Sequence, residues 1–193
     1  MKNALILHGT ANNSQGNWFP WLKQELEKRG WKVWVPDLPR AVEPNSKRYN
    51  NFILNSDWEF NDESIIVAHS SGAVATLGLL LHLPDKLVIA ECILVAPFKE
   101  NLGWPEVKGL FKKPFDFAEI KLRARQFVLI YSDNDPYVPL SHGKYLAKKL
   151  GGKLIIKPGQ GHFNLEQGPE YKRFPLILAQ LESDITGDGL LGD

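Results

Sequence analysis

The segment Ala68-His69-Ser70-Ser71-Gly72 sets a serine two residues before a glycine, directly after the apolar run Ser64-Ile65-Ile66-Val67. A small-x-Ser-x-Gly turn between a strand and a helix holds its serine at a strained elbow, with the hydroxyl exposed and the next backbone N–H free to receive an oxyanion. Ser70 is therefore the candidate nucleophile, and the N–H of Ser71 the first oxyanion donor. Small residues are needed on both sides because the two backbones approach closely. Ala68 stands where glycine is usual, a difference of one methyl.

A serine hydroxyl is a weak nucleophile at neutral pH and needs a base in hydrogen-bond reach, itself oriented by a carboxylate. In strand-turn-helix hydrolytic sites the chain order is serine, acid, histidine. After the run Phe127-Val128-Leu129-Ile130-Tyr131 comes Ser132-Asp133-Asn134-Asp135-Pro136-Tyr137-Val138-Pro139. Asp135 is the expected orienting acid, and Asp133, nearer the strand, is suited to local turn bonds; strand termination or helix capping is the alternative for both. His162, in Gly159-Gln160-Gly161-His162-Phe163, is the expected base, since a histidine in a glycine-rich loop can reach across to a serine on another strand. His69 belongs to the elbow, and His82 and His142 fall in helix-like stretches expected to face solvent. A lone histidine is more often structural than catalytic, but here residue type, order and strand-end location agree for three residues.

The loop His8-Gly9-Thr10-Ala11 follows the first apolar run, where the second oxyanion donor of such sites arises, and Thr10 N–H is that donor unless the loop is a simple turn. Trp18 and Phe19, just beyond it, and Trp104 are the expected substrate-binding walls; helical spacing assigns Trp21 to the core. Competing chemistries lack support. Cys92 lies inside the apolar run 88–95, where a buried thiol packs as a hydrophobe. No His and Cys spacing matches a zinc site and no Gly-x-x-x-x-Gly-Lys-Ser/Thr phosphate loop is present, so no cofactor is expected.

The elements that must position these residues are legible as short apolar runs at 4–7, 32–35, 64–67, 87–95, 126–131 and 153–156. Their near-continuous hydrophobicity is that of strands buried on both faces. Between them, Trp18, Trp21, Leu22 and Leu26 share a helical face, as do Val74, Leu77 and Leu81, and then Tyr145, Leu146 and Leu150. Alternating strands and helices predict an α/β fold, a three-layer α/β/α sandwich with a mainly parallel sheet, formed as one domain over 1–185. A last helix is expected from about Pro169 to Leu181 with a break near Pro175, and 186–193 reads as a flexible tail. Residues 39–57 show little periodicity. Residues 97–119, with Trp104, Phe111, Phe115 and Phe117 among prolines and lysines, read as a small cap over the site or as a surface loop pinned by its aromatics.

Twenty-three Lys and Arg against twenty-two Asp and Glu leave a net charge of +1, no field with which to attract nucleic acid or an anionic membrane. The expected partner is a small-molecule acyl substrate; no protein partner is indicated. A single cysteine and no apolar run approaching the roughly 20 residues of a bilayer span fit a soluble cytoplasmic protein. The chain also opens with Met1-Lys2-Asn3 leading straight into the run 4–7, too short for a signal-peptide core.

With these residues in place the chain resembles the α/β-hydrolase superfamily, and within it the small serine hydrolases of the retinoblastoma-binding protein 9 and bacterial YdeN type. The resemblance spans nearly the whole chain and rests on the opening strand, its loop and Trp-containing first helix, His69-Ser70-Ser71-Gly72-Ala73, the 109–117 segment, Ser132-Asp133-Asn134-Asp135-Pro136 and Gly161-His162-Phe163. It implies a sheet without the first two strands of larger hydrolases, with nucleophile, acid and base at Ser70, Asp135 and His162. Pocket-protein binding through Leu-x-Cys-x-Glu does not transfer, because the residues around Cys92 read Ala90-Glu91-Cys92-Ile93-Leu94. Two functions are thus set against each other: a carboxylesterase-like hydrolase cleaving a small acyl ester, thioester or amide, and a catalytically weak protein on a hydrolase fold acting through protein-protein contacts.

Overall fold

The computed structural model describes residues 1–186. Six strands, β1 (Asn3–Leu7), β2 (Lys32–Trp34), β3 (Ser64–His69), β4 (Ile89–Val95), β5 (Ala124–Tyr131) and β6 (Lys153–Ile156), form one sheet in the order β2-β1-β3-β4-β5-β6. Every pairing is parallel; Leu5 stands opposite Ile66 across β1 and β3, and Ile66 opposite Cys92 across β3 and β4. The strands read as unbroken apolar runs because helices cover both faces.

Side chains alternate between those faces. Leu5, Leu7, Ile66, Ala68, Leu94 and Leu129 point to the layer of α2 (Ser46–Leu54), α3 (Ser71–Leu80), α4 (Phe117–Lys121) and α5 (Leu140–Leu150). Ala4, Ile6, Ile65, Val67, Ile93 and Val128 point to α1 (Phe19–Lys28) and α6 (Pro175–Thr186). All ten residues of α3 are buried, so it is apolar all round rather than amphipathic.

The expected strands and the helices α1, α3 and α5 form where the patterns place them, and the differences have local causes. The 39–57 segment contains α2, capped by Asn45, whose side chain accepts the Arg48 N–H. Its inward face is Tyr49, Asn50 and Ile53, and the buried amide of Asn50, which donates to the Gly78 carbonyl at 3.3 Å, hides the periodicity. The expected break at Pro175 is instead a helix start: Pro169–Lys172 form a separate 3-10 turn and Pro175 takes the first helical position, where a missing N–H costs nothing. Thr186 ends α6, and the rest of the expected tail lies outside the described residues. His142 is buried on α5, where its Nδ1 accepts the Lys99 N–H at 3.2 Å.

In the 97–119 segment a 3-10 turn, Pro105–Leu110, buries Val107 and Leu110. A chain of ring contacts at 5.8–6.0 Å then runs from Phe98 through Phe111, Phe115 and Phe117 to Tyr145 of α5. Among the described residues no helix is long and apolar enough to cross a membrane.

Candidate active site

All the sequence-predicted chemical residues lie beyond the carboxyl ends of the strands, where parallel α/β sheets hold their ligands. Ser70 follows β3 directly, with φ 53° and ψ −122°. That left-handed conformation costs a non-glycine residue about 1–3 kcal/mol and persists only when its surroundings enforce it. The enforcement is visible: Ser70 N–H donates to the Val95 carbonyl of β4 at 2.8 Å. Gly72 lies so close to the end of β1 that a Cβ there would stand 2.4 Å from the His8 carbonyl oxygen. The second small residue of the elbow is thereby explained, while Ala68 packs in the core with no exposure.

His162 Nε2 lies 3.0 Å from Ser70 Oγ, and its Nδ1 lies 2.7 Å from Asp135 Oδ2. The Asp135 side chain has no solvent exposure; its Oδ1 accepts the N–H groups of Tyr137 at 2.8 Å and Val138 at 3.0 Å. With Oδ1 taken up by those two donors, Oδ2 is left to receive the imidazole proton. Three residues separated by up to 92 positions are thus joined by hydrogen bonds in one line.

The loop carrying His162 is fastened to the loop after β5 by a ladder that the sequence patterns do not reveal. Asp133 Oδ1 accepts Gly159 N–H at 2.8 Å, Ser132 Oγ accepts Gln160 N–H at 2.9 Å, and Asn134 Oδ1 accepts Gly161 N–H at 2.7 Å. Asp133 therefore makes a turn-to-turn bond and does not reach His162. Gly161, at φ 55°, takes the left-handed conformation that turns the chain into His162.

His69 adds a second tie. Its Nε2–H donates to the His162 carbonyl at 2.8 Å, with ring centroids 4.7 Å apart. Burial, reinforced by the neighbouring His162, lowers the pKa of His69 to about 3, so it stays neutral. Cys92 is fully buried and its thiol is pushed well above the ordinary range by desolvation, which leaves it a packing residue.

A cleft of about 380 Å³ opens over Ser70 and His162. Its walls include Thr10, Asn12, Asn17, Phe98, Trp104, Glu106, Tyr137, Asn164, Leu165 and Glu166. Trp104 takes its expected place there, its ring 5.8 Å from that of Tyr137, which lies 5.1 Å from the His162 ring. Trp18 and Phe19 do not line the cleft: both are fully buried, edge to face at 4.6 Å. The spacing of 18, 22 and 26 points them with Leu22 and Leu26 into the core, and Trp18 Nε1–H donates to the Phe163 carbonyl at 3.1 Å, bracing the histidine loop from behind. Tyr137 could have been found two residues past Asp135. The asparagines and glutamates carry no sequence signal, because their loops meet only in the fold.

Among the described residues no group of three or more His, Cys, Asp and Glu is arranged to hold a metal ion. The N–H groups of Ser71 and Gly72, which open α3 ahead of the Ala73 N–H bonded to the Ser70 carbonyl, lack intrahelical acceptors and follow Ser70 directly. A hydroxyl bonded to an imidazole that is bonded to a buried carboxylate, beside such donors, is equipped to move a proton and to hold negative charge on oxygen.

Comparison with known proteins bears on the family and the fold. The serine hydrolase family model matches residues 4–183. YdeN of Bacillus subtilis (strain 168) is 28% identical over 183 residues, covering 94% of this chain and 95% of that protein. The crystal structure of the B. subtilis ydeN gene product superposes with a TM-score of 0.88 at 27% identity, over 96% of this chain and 100% of that one. Serine hydrolase RBBP9 of Rattus norvegicus is 23% identical over 159 residues, 81% of this chain and 83% of the relative. Est1E of Butyrivibrio proteoclasticus, in its complex with ferulic acid, shares the fold with a TM-score of 0.69 at 14% identity, over 96% of this chain and 88% of that one. Six parallel strands between two helical layers, the elbow at Ser70 and a family match over almost the whole length place this chain in the serine hydrolase family, on the α/β-hydrolase fold.

Proposed function

We propose that the chain is a carboxylesterase-like hydrolase that cleaves small acyl esters, thioesters or amides through an acyl-enzyme on Ser70. The observation that carries this reading is His162 held between Ser70 Oγ at 3.0 Å and Asp135 Oδ2 at 2.7 Å. His162 Nε2 takes the hydroxyl proton as Ser70 Oγ bonds to the substrate carbonyl carbon, and Asp135 stabilises the imidazolium that forms. The carbonyl oxygen, now negative, is received by the N–H groups of Ser71 and Thr10. Collapse of the tetrahedral intermediate breaks the bond to the leaving group, which departs with the proton from His162. Water then repeats the sequence and releases the acid, restoring the Ser70 hydroxyl.

The cleft also bears on substrate charge. Among the described residues Glu106 and Glu166 line it, and no Lys or Arg does. Glu166 Oε2 is engaged by Tyr137 Oη–H at 2.7 Å and Asn164 Nδ2 at 3.1 Å, neither of them a cation. Uncharged or cationic acyl substrates are therefore favoured, and multiply anionic thioesters are disfavoured by like-charge repulsion. The test is reaction with a fluorophosphonate probe and turnover of p-nitrophenyl butyrate by wild type, Ser70→Ala and His162→Ala. Activity confined to the wild type supports the reading; inertness of the folded wild type would favour a binding role on a hydrolase fold.

A further inference from the structure

His8 is a buried histidine that the mechanism above does not use, 1% exposed and immediately after β1. Both of its ring nitrogens are occupied by main chain. Leu38 N–H donates to Nε2 at 2.9 Å, so that nitrogen carries the lone pair and the ring proton sits on Nδ1. Nδ1–H in turn donates to the carbonyl of the next residue, Gly9, at 2.9 Å. Burial lowers the proton affinity of His8, against the opposing pull of the Gly9 carbonyl and the Asp37 carboxylate, and the neutral tautomer is the one that satisfies both bonds. Asp37 is itself occupied, accepting Ser14 N–H at 2.6 Å, and His69 is the other ionisable group near by.

Fixing the Gly9 carbonyl fixes more than an oxygen. In a trans peptide the carbonyl of one residue and the N–H of the next point in opposite directions within one plane. The Gly9–Thr10 peptide is trans, so a Gly9 carbonyl drawn to His8 turns Thr10 N–H away from it. The loop packs against the nucleophile. A Cβ at Gly9 would stand 3.0 Å from Ser70 Cβ and 3.3 Å from His69 Nδ1, and Thr10 lines the cleft with Ser70. The next donor along, Ala11 N–H, is consumed by the Ala41 carbonyl at 2.9 Å. Thr10 N–H is thus the donor of this loop that remains for the cleft Thr10 lines.

We infer that His8 is a positioning residue for hydrolysis: by clamping the Gly9 carbonyl it aims Thr10 N–H at the oxyanion, without touching substrate itself. This rests on the acyl-transfer reading of Ser70, and the test separates the two. Steady-state turnover of p-nitrophenyl butyrate and inhibition by a trifluoromethyl ketone, whose hemiketal oxyanion occupies the same hole, are measured for wild type, His8→Leu, His8→Asn and His8→Gln. Asparagine can set an amide N–H where Nδ1–H stands and keep the Gly9 clamp. Glutamine reaches to the Nε2 position and keeps only the bond from Leu38.

His8→Leu is expected to lower kcat about 10- to 100-fold, a part of what losing an oxyanion donor costs, with KM within about twofold. His8→Asn should recover to within about fivefold of wild type, His8→Gln should stay low, and inhibitor affinity should follow kcat/KM through the series. If His8→Leu does not fold, the Asn and Gln pair decides. Recovery by glutamine and not asparagine would overturn the proposal, as would turnover within twofold of wild type in every variant, or a fall in kcat with unchanged ketone affinity. A folded wild type without turnover overturns the acyl-transfer reading, and this inference with it.

Discussion

Replacing Asp135 and Asp133 in turn by asparagine separates two carboxylates that stand two residues apart at the end of the same strand. In Asp135→Asn the amide oxygen must keep the N–H bonds of Tyr137 and Val138 that Oδ1 accepts at 2.8 and 3.0 Å, because the opposite orientation would face an NH2 with two donors. The NH2 is then forced towards His162 Nδ1, 2.7 Å from the present Oδ2, where two donors would meet. The imidazole escapes by moving its proton to Nε2, the nitrogen that must accept from Ser70 Oγ. A base locked in the wrong tautomer costs about 10⁴-fold in kcat, equivalent to about 5 kcal/mol of transition-state stabilisation. Asp133→Asn keeps an oxygen for Gly159 N–H, the bond its Oδ1 makes at 2.8 Å. The side chain is exposed, so the change should stay within about threefold. Turnover of p-nitrophenyl butyrate near neutral pH gives both rates, and thermal melts confirm that both variants fold. A loss below tenfold for Asp135→Asn, or equal losses at the two positions, would refute the assignment of the acid and the tautomer argument.

Three further outcomes follow from the same geometry. The pKa of His69 falls to about 3 in the fold from its ordinary 6.5, so the unfolded chain binds that proton first and the contribution of His69 to stability, full above about pH 6.5, declines as pH falls towards 3. Urea unfolding should lose up to about 1.4 kcal/mol per pH unit in that window on this account, a slope that His69→Gln should remove; the same slope in both proteins would contradict it. Trp18→Ala should cost about 3–5 kcal/mol of stability, as a fully buried aromatic, whereas Trp104→Ala should raise KM with little change in melting temperature; a reversal of these effects would misplace the cleft wall. Matched p-nitrophenyl esters with neutral, cationic and anionic acyl chains should show the lowest kcat/KM for the anionic one, and Glu106→Gln with Glu166→Gln should narrow the gap; a preference for the anionic ester would contradict the charge argument.

The parts of the molecule that were legible in the sequence are those fixed by local pattern. Strands buried on both faces announce themselves as apolar runs, and Ser70, Asp135 and His162 each sit where such a run stops. The same logic misplaces Trp18 and Phe19: nearness in sequence to the Thr10 loop suggests a pocket wall, but one helical turn carries their rings to the core side, under the histidine loop. Helix α2 was hidden because one of its three inward positions is the amide of Asn50. The ladder from Ser132, Asp133 and Asn134 to residues 159–161 and the tie from His69 to His162 are hydrogen bonds between main chain and side chain across loops, and the clamp from His8 to Gly9 is one between neighbours in the chain. Residue type permits each of them and the fold alone selects them. The cleft follows the same rule: its walls come from the loops around residues 9–17, 98–106, 137 and 162–166, which periodicity does not describe.

In the proposed reaction Ser70 Oγ is the attacking atom, poised by His162. Intact-protein mass spectrometry after exposure to a fluorophosphonate, with the adduct mapped by proteolysis, tests it most directly. One phosphonyl group per chain is expected, located on Ser70, absent in Ser70→Ala and formed much more slowly in His162→Ala. An adduct on another residue, or one that persists in Ser70→Ala, would contradict it.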